Sequence, residues 1–412
     1  MASSEPIRVE RPAPSWHGMD PTTEDGARWD DPFPLLAEVR ERAPVHETPA
    51  GLWRVMRWND CVHVLREIPA GVRRRDGTAP GDAMGGNQEG GSQFMLGQDP
   101  PTHTRLRKLV SKAFTPRATE AWRPRIREIV DGLVDEALEA GEVDIIQGLA
   151  LPVPSQLICE MLGVPLSDRD CFTEWTALAT HGLRGSFLPE DERERVTAGF
   201  GELAAYFQDL IAERRGALRD DLLSVLIRAE EEGDRLSPEE LLVQSIGLLV
   251  AGFETTIGLI GLGAKNFCDH PEEADKLRRD PDLIDNAVEE CLRYEGPIGM
   301  TTRVLHADAV IGGYEIPADT TIWVSTWSAN RDPDRHVDPD RFDVARADTT
   351  HLGFGAGTHL CLGAHLARAE TAEALGALIG RTRTIERVDD EIEWGASVFR
   401  VPGKLPVRLV PR

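Results

Sequence analysis

The stretch from Ser237 to Pro271 limits the possible folds more than any other part of the chain. Ser237-Pro238-Glu239-Glu240 is a capping box with proline at the first helical position. A mostly apolar run from Leu241 to Phe267 follows, and His270-Pro271 closes it. A helix from Pro238 to about Asp269 is roughly 48 Å long at about 1.5 Å per residue, enough to cross the molecule. Because it is apolar on nearly all faces it should be buried, with the rest of the chain packed around it. Gln244, Ser245, Glu254 and Thr255 break the run, so no uninterrupted apolar stretch reaches membrane-spanning length.

The middle of this helix, Ala251-Gly252-Phe253-Glu254-Thr255-Thr256, is at odds with a plain core. An acid and two hydroxyls in an apolar helix are costly unless partnered, and threonine can divert a hydrogen bond from the backbone ladder. Two readings stand together: a locally satisfied bend, or a site where Gly252 lets a flat cofactor or dioxygen approach the helix axis.

Cys361 lies in the run Gly353-Phe354-Gly355-Ala356-Gly357-Thr358-His359-Leu360-Cys361-Leu362-Gly363-Ala364. Small residues on both sides let backbone amides approach the sulfur and a flat group lie against the loop. A lone cysteine is most often a small buried hydrophobe. A dinucleotide fingerprint fails because Leu360 takes the third glycine position, and no Lys-Ser/Thr follows for a phosphate loop. Zinc fits poorly, since no second cysteine lies nearby. One thiolate as the only protein ligand points to haem iron.

Here the chain resembles the cytochrome P450 family, the haem-thiolate monooxygenases, and its soluble bacterial members in particular. Phe354-Gly355-x-Gly357-x-His359-x-Cys361-x-Gly363, followed by Leu366-Ala367-Arg368, is similar to the family's ligand loop at every defined position. The resemblance covers about residues 95 to 400. It implies a mainly α fold with small β-sheets (α+β), a long central helix over haem b, and Cys361 as the iron ligand. Ala251-Gly252-x-Glu254-Thr255 resembles the acid and alcohol pair over the haem, which makes Glu254 and Thr255 the proton-delivery residues.

Glu290-Cys291-Leu292-Arg293 places an acid and a guanidinium on one helical face, a weak signal by itself. Pro339-Asp340-Arg341-Phe342 resembles the family element that brings in a second arginine, so Glu290, Arg293 and Arg341 are expected to form a buried structural network. In Asp99-Pro100-Pro101-Thr102-His103-Thr104-Arg105-Leu106-Arg107, His103 and Arg107 share a helical face suited to gripping an anion, or to facing water. The resemblance makes the haem propionates that anion, with Arg303 and His359 as further contacts. By position, Phe94, Met95, Leu96, Leu248, Gly252, Ile298, Gly299, Met300, Thr301, Val398 and Phe399 should line a mainly apolar pocket.

With 412 residues and no clear linker or repeat, a single domain over 1–412 is expected. Six scattered cysteines (61, 159, 171, 268, 291, 361) suit a reducing compartment. The N-terminus lacks a signal-peptide pattern, so the expected location is cytoplasmic, without membrane association. A net charge of -24 argues against nucleic acid as a partner. Against that acidic total, Arg105, Arg107, Lys108, Lys112 and Arg117 stand with no acid from Thr102 to Thr119. This is a solvated face or, as the resemblance implies, the dock for an acidic ferredoxin served by a ferredoxin reductase.

Elsewhere, Asp31-Pro32 opens an amphipathic helix through Arg42, and Val45 to Arg57 reads as a hairpin ahead of a short helix from Cys61 to Glu67. Residues 81–97 hold six glycines and are expected to form a mobile pocket wall. Helices dominate to about Leu183, and the interruption Arg184–Pro189 resembles the family's lid before helix resumes from Glu190 toward Arg215. Strands are expected at Val304–Ile316 and Thr320–Ser325. The leading function is insertion of one atom of dioxygen into a small apolar organic substrate. The alternative is a non-catalytic haem-thiolate sensor or carrier, which has no need of a buried Glu254-Thr255 relay.

Overall fold

The computed structural model describes residues 31–48, 51–79, 93–182, 188–231, 236–395 and 399–412. Its axis is the helix Pro238–Asp269, the segment that the capping signals delimit. The Ser237 hydroxyl accepts the Glu240 amide at 3.0 Å, and the Glu240 carboxylate accepts the Ser237 amide at 2.9 Å. At the other end the His270 amide bonds the Asn266 carbonyl, and Pro271 starts the next helix, Pro271–Arg279. By length and composition this helix could cross a membrane, but its most apolar window is 67% buried inside the protein. Leu241, Leu249, Ile260 and Phe267 pack in one core with Ile126 and Val130 of Pro116–Ala140 and with Leu375 and Leu378 of Ala364–Arg381. Gly263 makes the last contact possible, since a Cβ there would sit 2.6 Å from Leu375 Cδ1.

Further helices at Pro152–Leu162, Arg169–His181, Glu190–Gly216 and Leu222–Glu231 flank the central one. The predicted loop at 184–189 falls mostly outside the described residues, as does most of the glycine-rich stretch, of which residues 93–97 are described. The helices Phe33–Arg42 and Trp58–Arg66 and the antiparallel pair Val45–Glu47 with Trp53–Val55 lie where local patterning puts them.

The five-stranded sheet runs in the order 45–47, 53–55, 321–325, 300–305, 70–71. Trp53–Val55 pairs in parallel with Thr321–Ser325, which pairs antiparallel with Met300–Leu305. The region from Val304 to Ile316, where strands are expected, holds the end of one strand and two more. Met300–Leu305 belongs to this sheet, while Ala309–Ile311 and Tyr314–Ile316 form a separate hairpin. Gly312 and Gly313 turn that hairpin with φ of 58° and 90°, the two positive φ values that a tight two-residue turn demands. A three-stranded sheet, 142–144, 406–411, 382–387, has no counterpart in the sequence reading.

Candidate functional site

The cysteine loop is shaped by two glycines in left-handed conformation, Gly355 (φ 69°) and Gly357 (φ 71°). Gly357 lies so close to the Leu65 carbonyl at the end of helix Trp58–Arg66 that no side chain fits. The Cys361 amide donates to the Phe354 carbonyl at 2.9 Å and closes the loop. Gly363 is the N-cap of Ala364–Arg381, so the sulfur stands at the positive end of a helix. Burial raises the Cys361 thiol. The Gly363 amide, which hydrogen-bonds the sulfur, and the charges of Arg107 and Arg368 act the other way and favour thiolate. The residue nevertheless has one face open to solvent, the exposure a ligand atom needs.

Behind the loop is a charged brace that sequence reasoning missed. Arg368 lies over the Phe354 ring at 4.6 Å and donates to Glu289 at 2.8 Å, while His351 Nε2 lies 3.0 Å from the same carboxylate. Burial works to raise the Glu289 carboxyl, but the bonds from Arg368 and His351 prevail and hold it down to about 2. The signal was available, since Glu289 adjoins Glu290 and Arg368 ends the Leu366-Ala367-Arg368 run.

Gly247, Ala251 and Thr255, spaced by four, form a single stripe on the central helix. Ala251 is exposed and the other two are partly so, whereas Leu248, Leu249, Phe253, Thr256 and Ile257 are buried. A Cβ on Gly252 would meet only Ile158 Cδ1, at 3.9 Å. The helix therefore offers an accessible, small-residue surface at its middle. Thr255 Oγ1 donates to the Ala251 carbonyl at 2.9 Å and Thr256 Oγ1 to the Gly252 carbonyl at 3.1 Å, and the helix continues unbroken through both. Glu254, the residue before them, is half-buried.

His103 and Arg107 lie on the helix Thr102–Val110, and His103 meets His359 with ring centroids 4.2 Å apart. Arg303, on the strand Met300–Leu305, is buried and bonds the Thr302 carbonyl at 2.6 Å. Arg107 donates to the Leu360 carbonyl at 2.6 Å, tying this helix to the residue before Cys361. Burial, followed by the charges of His359 and Arg107, pushes His103 down to about 4. Among the described residues His103 Nδ1 and His359 Nε2 are buried without a hydrogen-bond partner. Among the described residues the acid close by is Asp99, whose carboxylate is 3.8 Å from His359 Nε2 and already accepts the Val72 and Arg73 amides, each at 2.9 Å. Two imidazoles with orphaned nitrogens and two guanidinium groups form a carboxylate-binding cluster, the donor set that haem propionates require. With the Cys361 sulfur and the open stripe, these residues fit haem.

The acid at 290 and the arginine at 293 pair as expected on Ile284–Glu295, both fully buried, with Arg293 donating to Glu290 at 2.6 and 2.8 Å. The second arginine is a correction. Arg341 has an exposed side chain, 3.6 Å from Asp343, and contributes only its carbonyl, which accepts Arg293 Nη2 at 3.1 Å. The guanidinium that reaches Glu290 belongs to Arg346, at 3.1 Å, and the Asp343 amide adds a further bond at 3.0 Å. The chain turns from Asp343 to Arg346 just after Phe342, so the arginine four residues beyond Phe342 points inward.

Of the expected pocket residues, Phe94 lies against Gly247, Met95 and Leu248 are buried, and Leu96 is 59% exposed and no part of an enclosed wall. Ile298, Gly299, Met300 and Thr301 are partly buried where the strand Met300–Leu305 begins, and Gly299 fits against the Trp327 ring. Phe399 packs against the main core, and Val398 lies outside the described residues.

Comparison with known proteins agrees with this geometry. Residues 78–390 match the family model described as Cytochrome P450. Cytochrome P450 monooxygenase PikC of Streptomyces venezuelae is 42% identical over 85% of this chain and 84% of its own. Vitamin D(3) 25-hydroxylase of Pseudonocardia autotrophica is 36% identical over 94% of this chain and 96% of its own. Among solved structures, P450BioI in complex with hexadec-9Z-enoic acid ligated acyl carrier protein superposes with a TM-score of 0.84. It is 34% identical, covering 92% of this chain and 98% of that one. The chain belongs to the cytochrome P450 family, the haem b monooxygenases that use dioxygen on organic substrates.

Proposed function

We propose that residues 1–412 form one haem-thiolate domain acting as a cytoplasmic, ferredoxin-dependent monooxygenase on a small apolar organic molecule. The observation that carries the proposal is the Cys361 sulfur, held at a helix N-terminus beside the Gly363 amide and two guanidinium groups, in a fold with an open small-residue stripe on its central helix. The haem supplies the activation of dioxygen. Cys361 is its ligand, and His103, Arg107, Arg303 and His359 neutralise and orient its carboxylates. Phe354, Gly355 and Gly363 shape the ligand loop, and Ala251 and Gly252 leave room for the ring and for dioxygen. Glu290, Arg293 and Arg346 hold the structure that supports the loop.

Thr255 and Glu254 handle protons. The Thr255 hydroxyl proton is spent on the Ala251 carbonyl, so its oxygen offers acceptor lone pairs and positions a proton donor there. Glu254, one residue earlier, is the carboxylate that resupplies protons. Six free cysteines suit a reducing cytoplasm. Lys108, Lys112 and Arg117 are exposed on three consecutive elements, and Arg107, on the helix of Lys108, reaches the residue before Cys361, which supports docking of an acidic ferredoxin on this face. Arg105, paired with Glu240, is not part of that patch. Relatives named for vitamin D3 hydroxylation and for a bound sixteen-carbon acyl chain support an apolar substrate.

The test is an optical titration of the ferric holoenzyme with apolar and polar probes. Apolar probes such as myristic acid or testosterone are expected to shift the haem band from low to high spin. A panel in which only charged, polar probes move the band refutes the substrate class.

A further inference from the structure

Gln244 is an anomaly. It is a fully buried polar residue, one turn before Leu248 in the apolar central helix. Both ends of its amide are used, and both bonds go to the same short segment. Its Nε2 donates to the Gln93 carbonyl at 2.9 Å, and its Oε1 accepts the Met95 amide at 3.1 Å. A side-chain amide that brackets one residue in this way fixes that residue's backbone, and the residue is Phe94.

The Phe94 ring lies in a notch on the same helix. A Cβ built on Gly247 would lie 2.6 Å from the ring's Cγ and closer to other ring carbons, so only glycine admits the ring there. Gly247 is the first member of the stripe that continues through Ala251 and Thr255. At about 1.5 Å per residue, the ring covers the stripe about 6 Å along the axis from Ala251 and about 12 Å from Thr255. Phe94 is thus an end wall of the accessible surface above the proton-handling residues.

We infer that Gln244 and Gly247 are positioning residues for substrate selection: the Gln244 amide clamps the 93–95 backbone so that Phe94 seats on Gly247 and limits how far a substrate extends along the central helix. This rests on the proposed apolar-substrate reading but concerns residues that bind neither haem nor dioxygen. Mispairing a buried amide is costly, so the clamp has a defined geometry. A ring on bare backbone leaves no slack for repacking.

The experiment uses haem-loaded protein and the variants Gln244→Leu, Gly247→Ala, Phe94→Ala and Phe94→Ala/Gly247→Ala. Decanoic, myristic and stearic acid and testosterone serve as probes through the haem band. Gln244→Leu is expected to speed hydrogen exchange at the Met95 amide about fivefold or more, the loss of one hydrogen bond. It should change the stearic-to-decanoic affinity ratio by a similar factor, with the thiolate-type carbon monoxide spectrum kept. Gly247→Ala should change the same ratio, and that effect should vanish once Phe94 is alanine. An unchanged ratio in Gln244→Leu, or a Gly247→Ala effect equal with and without Phe94, overturns the inference, because a merely structural role lowers stability without reordering the probes. If no apolar probe moves the band of the parent protein, the substrate reading fails instead, and Met95 exchange still decides whether the clamp exists.

Discussion

Replacing Glu290 with glutamine measures how much of the fold depends on one carboxylate. Glu290 accepts two bonds from Arg293, one from Arg346 and one from the Asp343 amide, and neither it nor Arg293 has any solvent exposure. Glutamine removes the charge and one acceptor oxygen. Arg346 keeps the carbonyls of Val337, Asp338 and Arg341, but Arg293 retains only neutral acceptors around a buried charge. Breaking a buried pair in this way costs about 3 to 5 kcal/mol. For a chain of this length the unfolding entropy is about 0.9 kcal/mol per degree, so the loss lowers Tm by about 3 to 6 °C and should be accompanied by reduced haem retention. Arg341→Ala is the control: its exposed pair with Asp343 is worth about 0 to 1 kcal/mol, a shift of about a degree at most. Calorimetry with haem quantitation decides. A Glu290→Gln Tm within a degree of the parent, or an Arg341→Ala loss as large as that of Glu290→Gln, refutes this account of the network.

Cys361→Ala should abolish the thiolate-type carbon monoxide difference spectrum, and a variant that retains it removes Cys361 as ligand. Thr255→Ala should leave stability within about 1 kcal/mol, since only an i−4 back-bond is lost, while reductant is consumed with release of peroxide in place of product; unchanged coupling excludes Thr255 from proton handling. Lys108→Glu/Lys112→Glu should slow ferredoxin-driven turnover and flatten its salt dependence, and an unchanged profile rules out docking there. Burial, with smaller contributions from neighbouring charges, lowers His46 and His336 to about 4. An unfolded imidazole titrates near 6.5, so the unfolded chain takes up protons first. Stability is then whole above about pH 6.5 and falls toward pH 4, by on the order of 2 kcal/mol per histidine at pH 5. Urea midpoints at pH 7 and 5 that coincide contradict this, and the His46→Gln/His336→Gln variant should lose most of the slope.

The parts of the molecule legible in the sequence are those set by local chemistry. Ser237, Glu240 and Pro271 mark the ends of the central helix because caps act within one turn. The glycines around Cys361 mark its loop because two of them have positive φ. Choosing between Arg341 and Arg346 depends on which way the chain turns after Phe342, which no periodicity encodes. The parallel pairing of Trp53–Val55 with Thr321–Ser325, and the return of 406–411 between 142–144 and 382–387, join distant segments, so neither has a local signature. Gln244 was visible only as an interruption of an apolar run; its bonds to Gln93 and Met95 cross about 150 residues of chain.

Glu240 has a second use beyond the capping box. Its carboxylate also pairs with Arg105, on the helix that carries His103 and Arg107. One side chain therefore links the helix proposed to hold the cofactor's acids to the central helix that carries Glu254 and Thr255. A shift of the central helix along its axis would have to break this pair or move the helix Thr102–Val110 with it. Thr255 lies fifteen residues from Glu240, about 22 Å along the helix. Loss of the Glu240 carboxylate would thus remove the capping box and the tie to Arg105 together, although it touches neither Glu254 nor Thr255.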